Sequence, residues 1–222
     1  MSVKAVLLDL DGTLLDTLPD LADAANAMLA ELDRPLLPVD TIRGYVGKGI
    51  PNLVERCLGY PAESAAPDAR AALAAFRRHY ASVNGRKARI YPGVVEGLEV
   101  MRGAGLRLAC VTNKAAAFTE PLLETMGLAQ YLDMIVSGDT LARKKPDPLP
   151  FRHICASFGI EPQQALVIGD SRNDVGGARA AGCPVICVSY GYSEGEDVRD
   201  LGADAIVTTL EEAARRVIPA AR

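Results

Sequence analysis

The sequence predicts an α/β protein: a doubly wound parallel sheet interrupted, after its first strand, by an all-helical insertion. Two patterns predict it. Short apolar runs recur along most of the chain with amphipathic stretches between them, as expected of parallel strands covered on both faces by crossover helices. Residues 17–85 break that alternation and carry apolar positions at helical spacing only. With 49% hydrophobic and 23% charged residues in 222, the chain has a globular composition and is long enough for one large domain or two modest ones.

The first strand, residues 4–8, is an apolar run that delivers Asp9, Leu10, Asp11, Gly12, Thr13 and Leu14 into a turn. The insertion follows. Leu21, Ala25, Met28, Leu29 and Leu32 lie on one helical face, with Pro19 tolerable in the first turn, and Leu53, Val54, Cys57 and Leu58 repeat the pattern. Residues 65–81 are alanine-rich and helical, closed by Asn84-Gly85. Strands are then expected at 106–111, 133–136, 165–168, 184–188 and 205–207, and helices at 94–102, 118–126, 149–158, 175–181 and 210–217. This assigns 1–16 and 86–222 to an α/β core and 17–85 to a helical cap. The two junctions are short, with Gly85, Pro92 and Gly93 as breakers, and side by side they would form a hinge.

Charge and composition exclude several classes. Net charge is −4 and the densest basic cluster is Arg143, Lys144 and Lys145, so nucleic acid is not an expected partner. No apolar stretch approaches the roughly 20 residues that span a bilayer. Asp9 and Asp11 interrupt the apolar run at the N-terminus, which argues against a signal peptide and for the cytoplasm. Five scattered cysteines without a CxxC pair suit buried thiols in a reducing compartment, with Cys183 and Cys187 on one face of a strand. His79 and His153 have no ligand-type neighbours, so a histidine zinc site is not expected.

Open α/β sheets bind ligands beyond the carboxyl ends of their strands. At the first such end, Asp9 and Asp11 would project to the same side of an extended segment. Two close carboxylates suit Mg²⁺ and an incoming phosphate, although a plain Asp-Gly turn would read the same way. Gly12 permits the sharp exit from the strand. A later end carries Thr112, Asn113 and Lys114 at a helix start, a ready anion site. Another carries Gly169, Asp170, Ser171, Arg172, Asn173 and Asp174, and Arg143 to Pro148 bring cations between the two. Singly, each also reads as a helix cap, a solvated loop or a turn.

In this order the four motifs resemble those of the haloacid dehalogenase superfamily, over essentially the whole chain. Asp9-Leu10-Asp11-Gly12-Thr13 resembles its first motif, Thr112 its second, Lys145 its third, and Gly169-Asp170 with Asp174 its fourth. Lys145 is chosen over Lys144 by the family pattern Lys-Pro-Asp-Pro. The resemblance implies a Rossmann-like core with a mobile cap. It implies that Asp9 is the nucleophile and Asp11 the acid/base. Mg²⁺ would be held by the Asp9 carboxylate, the Asp11 backbone carbonyl and Asp170, with Asp174 orienting these ligands. Gly12, Thr112, the Asn113 backbone and Lys145 would cradle the phosphoryl oxygens.

Residues 17–21, the segment Val46-Gly47-Lys48-Gly49 and Gly169 to Asp174 further resemble the phosphoglycolate phosphatase group of that superfamily. The implied activity is Mg²⁺-dependent hydrolysis of a small anionic phosphomonoester, 2-phosphoglycolate first, with Arg43 and Lys48 meeting its second negative charge. The alternatives are a sugar-phosphate phosphatase, including one for muramic acid 6-phosphate, a phosphosugar mutase, and a phospho-receiver module that does not turn over.

Overall fold

The computed structural model describes residues 2–60 and 68–218. In chain order the elements are β1 (Ala5–Leu8), β2 (Leu15–Asp16), α1 (Leu18–Glu31), α2 (Val39–Arg43), α3 (Ile50–Cys57), α4 (Ala69–Val83), β3 (Arg89–Ile90), α5 (Val94–Gly103), β4 (Arg107–Val111), α6 (Ala116–Thr125), β5 (Met134–Val136), α7 (Leu149–Phe158), β6 (Ala165–Gly169), α8 (Arg172–Ala181), β7 (Val185–Val188), β8 (Ala205–Val207) and α9 (Leu210–Val217).

Six strands form one sheet in the order β5-β4-β1-β6-β7-β8, every pair parallel. The central strand β1 aligns Leu8 with Cys110 on one side and with Ile168 on the other. Its side chains alternate between faces, as the pleat requires. Val6 and Leu8 enter a core with Leu98, Met101 and Leu210 of α5 and α9, and Ala5 and Leu7 enter one with Phe151, Ile154 and Ala178 of α7 and α8. The chain runs outward from β1 through β4 to β5, then returns to β6 on the other side of β1. The crevice between the ends of β1 and β6 is therefore the switch point where such sheets bind ligands.

Helices α1 to α4 build a second apolar cluster in which Leu21, Ala25, Met28 and Leu29 meet Leu53, Val54, Phe76 and Tyr80. Phe118 and Tyr192 of the α/β part join this cluster, so the helical unit sits on the core through apolar contact. Of the expected helix at 65–81, residues 65–67 lie outside those described, and α4 starts at Ala69. No helix among the described residues is long and apolar enough to cross a membrane. The five cysteines are free and buried, and Cys183 and Cys187 share one cluster.

The structure departs from expectation at two helix starts and at the junctions. Helix α8 starts at Arg172, three residues early, because Ser171 and Asp174 form a capping box that satisfies its first amides. Helix α6 begins at Ala116, with Pro121 inside it. The junctions are also more than loops. Leu15 pairs with Ile90 and Asp16 with Arg89 in a two-stranded antiparallel neck.

Asp20 of α1 locks that neck. Its carboxylate is 1% exposed and accepts from the amides of Gly85 (2.9 Å), Lys87 (2.8 Å) and Ala88 (3.1 Å), tying the outgoing helix to the returning strand. Asp20→Ala would strand these donors. The expected loss is roughly 2–4 kcal/mol of unfolding free energy, read from urea denaturation.

Candidate active site

The site is assembled at the ends of β1, β4 and β6. The Asp9 amide donates to Ile168 (2.9 Å), extending the β1 ladder by one residue, and three amides then converge on the Leu10 carbonyl to close a tight turn. Asp11 therefore stands in that turn, bridging to Leu15, and not on a continuous extended strand. The two carboxylates still face one cavity. Gly12 is required twice over. Its φ is +90°, and a Cβ there would lie 2.4 Å from Asp170 Oδ2.

Lys145 is the hub. Its ammonium donates to Asp9 Oδ1 (2.6 Å), Asp174 Oδ1 (2.7 Å) and the Val111 carbonyl (2.6 Å), using all three of its N–H bonds. Burial opposes its charge, but Asp174 and Asp9 hold its pKa above the ordinary lysine range. The other oxygen of Asp174 accepts from the Ser171 amide and hydroxyl, so both its oxygens are committed to protein. Asp170 Oδ2 accepts from the amides of Tyr192 (2.6 Å) and Ser193 (3.2 Å).

Oxygens of Asp9, Asp170 and Asp174 lie within 4.8 Å of one another, all buried. One lysine does not neutralise three carboxylates. Burial, then the Asp174 charge, push Asp170 up to about 7. Burial likewise raises Asp9 well above the usual carboxylate range, with Lys145 opposing and Asp174 and Asp170 adding to the shift. Hard oxygen donors short of positive charge are the donor set a divalent cation fits.

Asp11 lies outside this cluster. Its Oδ1 accepts from the Thr17 hydroxyl (2.5 Å) and from Lys114 Nζ (2.8 Å). Lys114 is buried, and although burial opposes its charge, Asp11 holds its pKa above the lysine range. At the end of β4, the Thr112 hydroxyl accepts from the Lys114 amide (3.1 Å). The Asn113 side chain donates to the carbonyls of Lys145 (3.0 Å) and Gly47 (2.9 Å), leaving its backbone for any ligand.

The helical unit closes over these groups along residues 46–49. Besides Asn113, Lys144 donates to the Lys48 carbonyl (2.7 Å), and Glu194 pairs with Lys48 (3.3 Å) and with Asn173. Gly47 and Gly49 have φ of +127° and +85° and line the cavity, whose volume is about 30 Å³. The two cations expected there stand elsewhere. Arg43, at the end of α2, pairs with Asp40 (3.7 Å) behind the Tyr192 ring, and the Lys48 ammonium turns to Glu194; neither lines the cavity.

Sequence reasoning assigned no role to Lys114, Tyr192 or Glu194. Lys114 had a signal, since it directly follows the Thr112-Asn113 pair. Tyr192 and Glu194 had none. They arrive from the loop after β7, where the Tyr192 hydroxyl accepts from the amides of Thr17 (2.7 Å) and Leu18 (2.9 Å) and donates to Asp16 (2.8 Å).

Carboxylates, lysines and a hydroxyl gathered at the switch point of an open parallel sheet, under a helical cover, define a class of hydrolases. The haloacid dehalogenase-like hydrolase family matches residues 3–182, and the chain belongs to it. It is similar to the phosphoglycolate phosphatase of Nitrosospira multiformis, 52% identical over 220 residues covering 98% of this chain and 96% of that one. The phosphoglycolate phosphatase of Thiobacillus denitrificans is 50% identical over 99% of this chain and 98% of its own. Among solved structures, that of a predicted phosphoglycolate phosphatase from Haemophilus somnus superposes with a TM-score of 0.92 at 30% identity, covering 98% and 99% of the two chains.

The raised Asp170 pKa has a thermodynamic signature. A carboxyl that titrates near 7 when folded and near 3.8 when free binds its proton more tightly in the native state, so its contribution to stability grows as pH falls from 8 toward 5. In metal-free buffer, stability from this group should rise on acidification over that window. Asp170→Asn should remove that component, seen by comparing chemical denaturation of the two proteins at pH 8 and pH 5.

Proposed function

We propose that this chain is a Mg²⁺-dependent phosphomonoesterase whose preferred substrate is 2-phosphoglycolate, cleaved to glycolate and phosphate through an aspartyl-phosphate. The observation that carries the chemistry is the arrangement of Asp9. Its carboxylate is nearly buried at the switch point, with one oxygen held by Lys145 at 2.6 Å. That leaves the other to attack phosphorus. The P–O ester bond breaks as the Asp9–phosphorus bond forms, and the departing alkoxide takes a proton from Asp11.

Asp11 has one oxygen engaged by Thr17 and Lys114, which leaves the opposite oxygen to pass the proton. In the second half-reaction Asp11 removes a proton from water, which attacks phosphorus and frees Asp9. Thr112, the Asn113 amide and Gly12 line the path of the transferring oxygens, while Lys145 fixes the nucleophile. Mg²⁺, held by Asp9 and Asp170 with the Asp11 carbonyl as a further donor, would offset the negative charge that gathers on the phosphoryl group. Asp174 orients the cluster through Lys145 and Ser171.

The substrate reading is supported by the naming of the relatives at about half identity. Closure of the helical cap over the site, along residues 46–49, would exclude water during transfer. The five reduced, buried cysteines support a cytoplasmic location.

Asp9→Asn should abolish turnover with the unfolding transition retained, measured by phosphate release and thermal melting. Asp11→Asn should cost on the order of 10²- to 10⁴-fold in kcat. Excess EDTA should silence the unmodified enzyme and Mg²⁺ restore it, with Ca²⁺ a poor substitute because of its larger, looser shell. A panel of phosphate esters ranked by kcat/KM tests the substrate: a sugar phosphate above 2-phosphoglycolate would overturn that assignment.

A further inference from the structure

We infer that Lys114 reads the second anionic group of the substrate, the carboxylate of a small 2-phospho acid, and so sets specificity from the core and not from the cap. The inference rests on the substrate class proposed above.

A dianionic substrate enclosed with its carboxylate away from water needs a counter-charge within the cavity. Of the described residues that line it, Lys114 is the one cation. The cap contributes Leu21, Val46, Ile50 and Leu53 to the same wall, an apolar surface that strengthens any charge pairing made against it. The neighbouring cations face other partners. Lys145 spends its three N–H bonds on Asp9, Asp174 and Val111, Lys48 pairs with Glu194, and Arg43 pairs with Asp40.

Lys114 differs from Lys145 in having a donor to spare. Its side chain is 3% exposed, yet among the described residues its ammonium has one carboxylate acceptor, Asp11 at 2.8 Å. Tyr80 of α4 lies against the ammonium, its ring centroid 5.0 Å away, and steadies the charge. With Asp11 and Tyr80 served, an N–H bond remains for an incoming carboxylate. Because Lys114 also touches Asp11, the carboxylate it binds is set beside the group that protonates the departing oxygen. In a 2-phospho acid, one carbon separates that oxygen from the carboxylate.

A cycle crossing a change in the enzyme with a change in the substrate tests this. The kcat/KM of the Mg²⁺-loaded enzyme and of Lys114→Met is measured on 2-phosphoglycolate and on its amide, 2-phosphoglycolamide. Replacing the carboxylate by the amide should cost the unmodified enzyme roughly 10- to 100-fold, and should cost Lys114→Met little. Loss of Asp11 positioning would lower both substrates equally and leave that ratio unchanged. Glycolate inhibition gives a readout without turnover: it should be lost in Lys114→Met while inhibition by inorganic phosphate is retained. If Lys114→Met does not fold, Lys114→Gln serves in the same cycle. An unchanged carboxylate-to-amide ratio in the variant overturns the inference and leaves the substrate assignment intact. An unmodified enzyme indifferent to the carboxylate overturns both.

Discussion

Gathering buried carboxylates at one edge of a parallel sheet is the constraint on which the rest of this protein depends. Each costs free energy on leaving water unless it is paired or hydrogen-bonded. The chain answers with donors drawn from distant parts of its sequence. Lys145 reaches Asp9 and Asp174 together, and the Ser171 amide and hydroxyl complete Asp174. The amides of Tyr192 and Ser193 complete one oxygen of Asp170. Space is equally constrained. A Cβ on Gly169 would meet Asp174 at 2.2 Å, and one on Gly191 would meet Asp170 at the same distance. The acidic cluster is thus enclosed by backbone that tolerates no side chain.

The same loops join the chemistry to the cover. Tyr192 supplies an amide to Asp170 and a hydroxyl to the first amides of α1, while its ring enters the cap cluster. Asn113 follows Thr112 at the end of β4 and also holds the Gly47 carbonyl. Glu194, with φ of +51° beside Ser193 at +50°, spans Lys48 and Asn173. Two adjacent non-glycine residues in the left-handed region are a local cost that the surrounding contacts must offset. The closed cover and the ordered acidic site share residues, so neither is independent of the other.

Much of this was legible in the sequence because it is periodic or motif-borne. The six strands of the main sheet and the helices between them follow apolar runs long enough to show their period, and the carboxylates Asp9, Asp11, Asp170 and Asp174 mark strand ends. What escaped has no period. The β2–β3 neck is two residues per strand, too short to alternate. The start of α8 was placed late because a capping box, not an apolar residue, begins it. Arg43 and Lys48 were assigned by charge and proximity to glycines, whereas their directions are set by Asp40, Tyr192 and Glu194. Lys114 was visible as a residue but its burial against Tyr80 is a tertiary fact.

The central position of β1 has a consequence for how the chain reaches this state. Of the strands of this sheet, the first to be synthesised is the one flanked on both sides in the finished sheet, and its partners begin at Arg107 and Ala165. Until those residues emerge, Ala5 to Leu8 have no ladder to join. The helices of the cap lie wholly in between and find most of their contacts among themselves, so they are free to condense first. Pairing across such sequence distances is slow, because loop closure must precede any gain from the contact. The growing chain therefore carries Ala5 to Leu8 unpaired at least until Arg107 is made, an apolar segment open to aggregation over that interval.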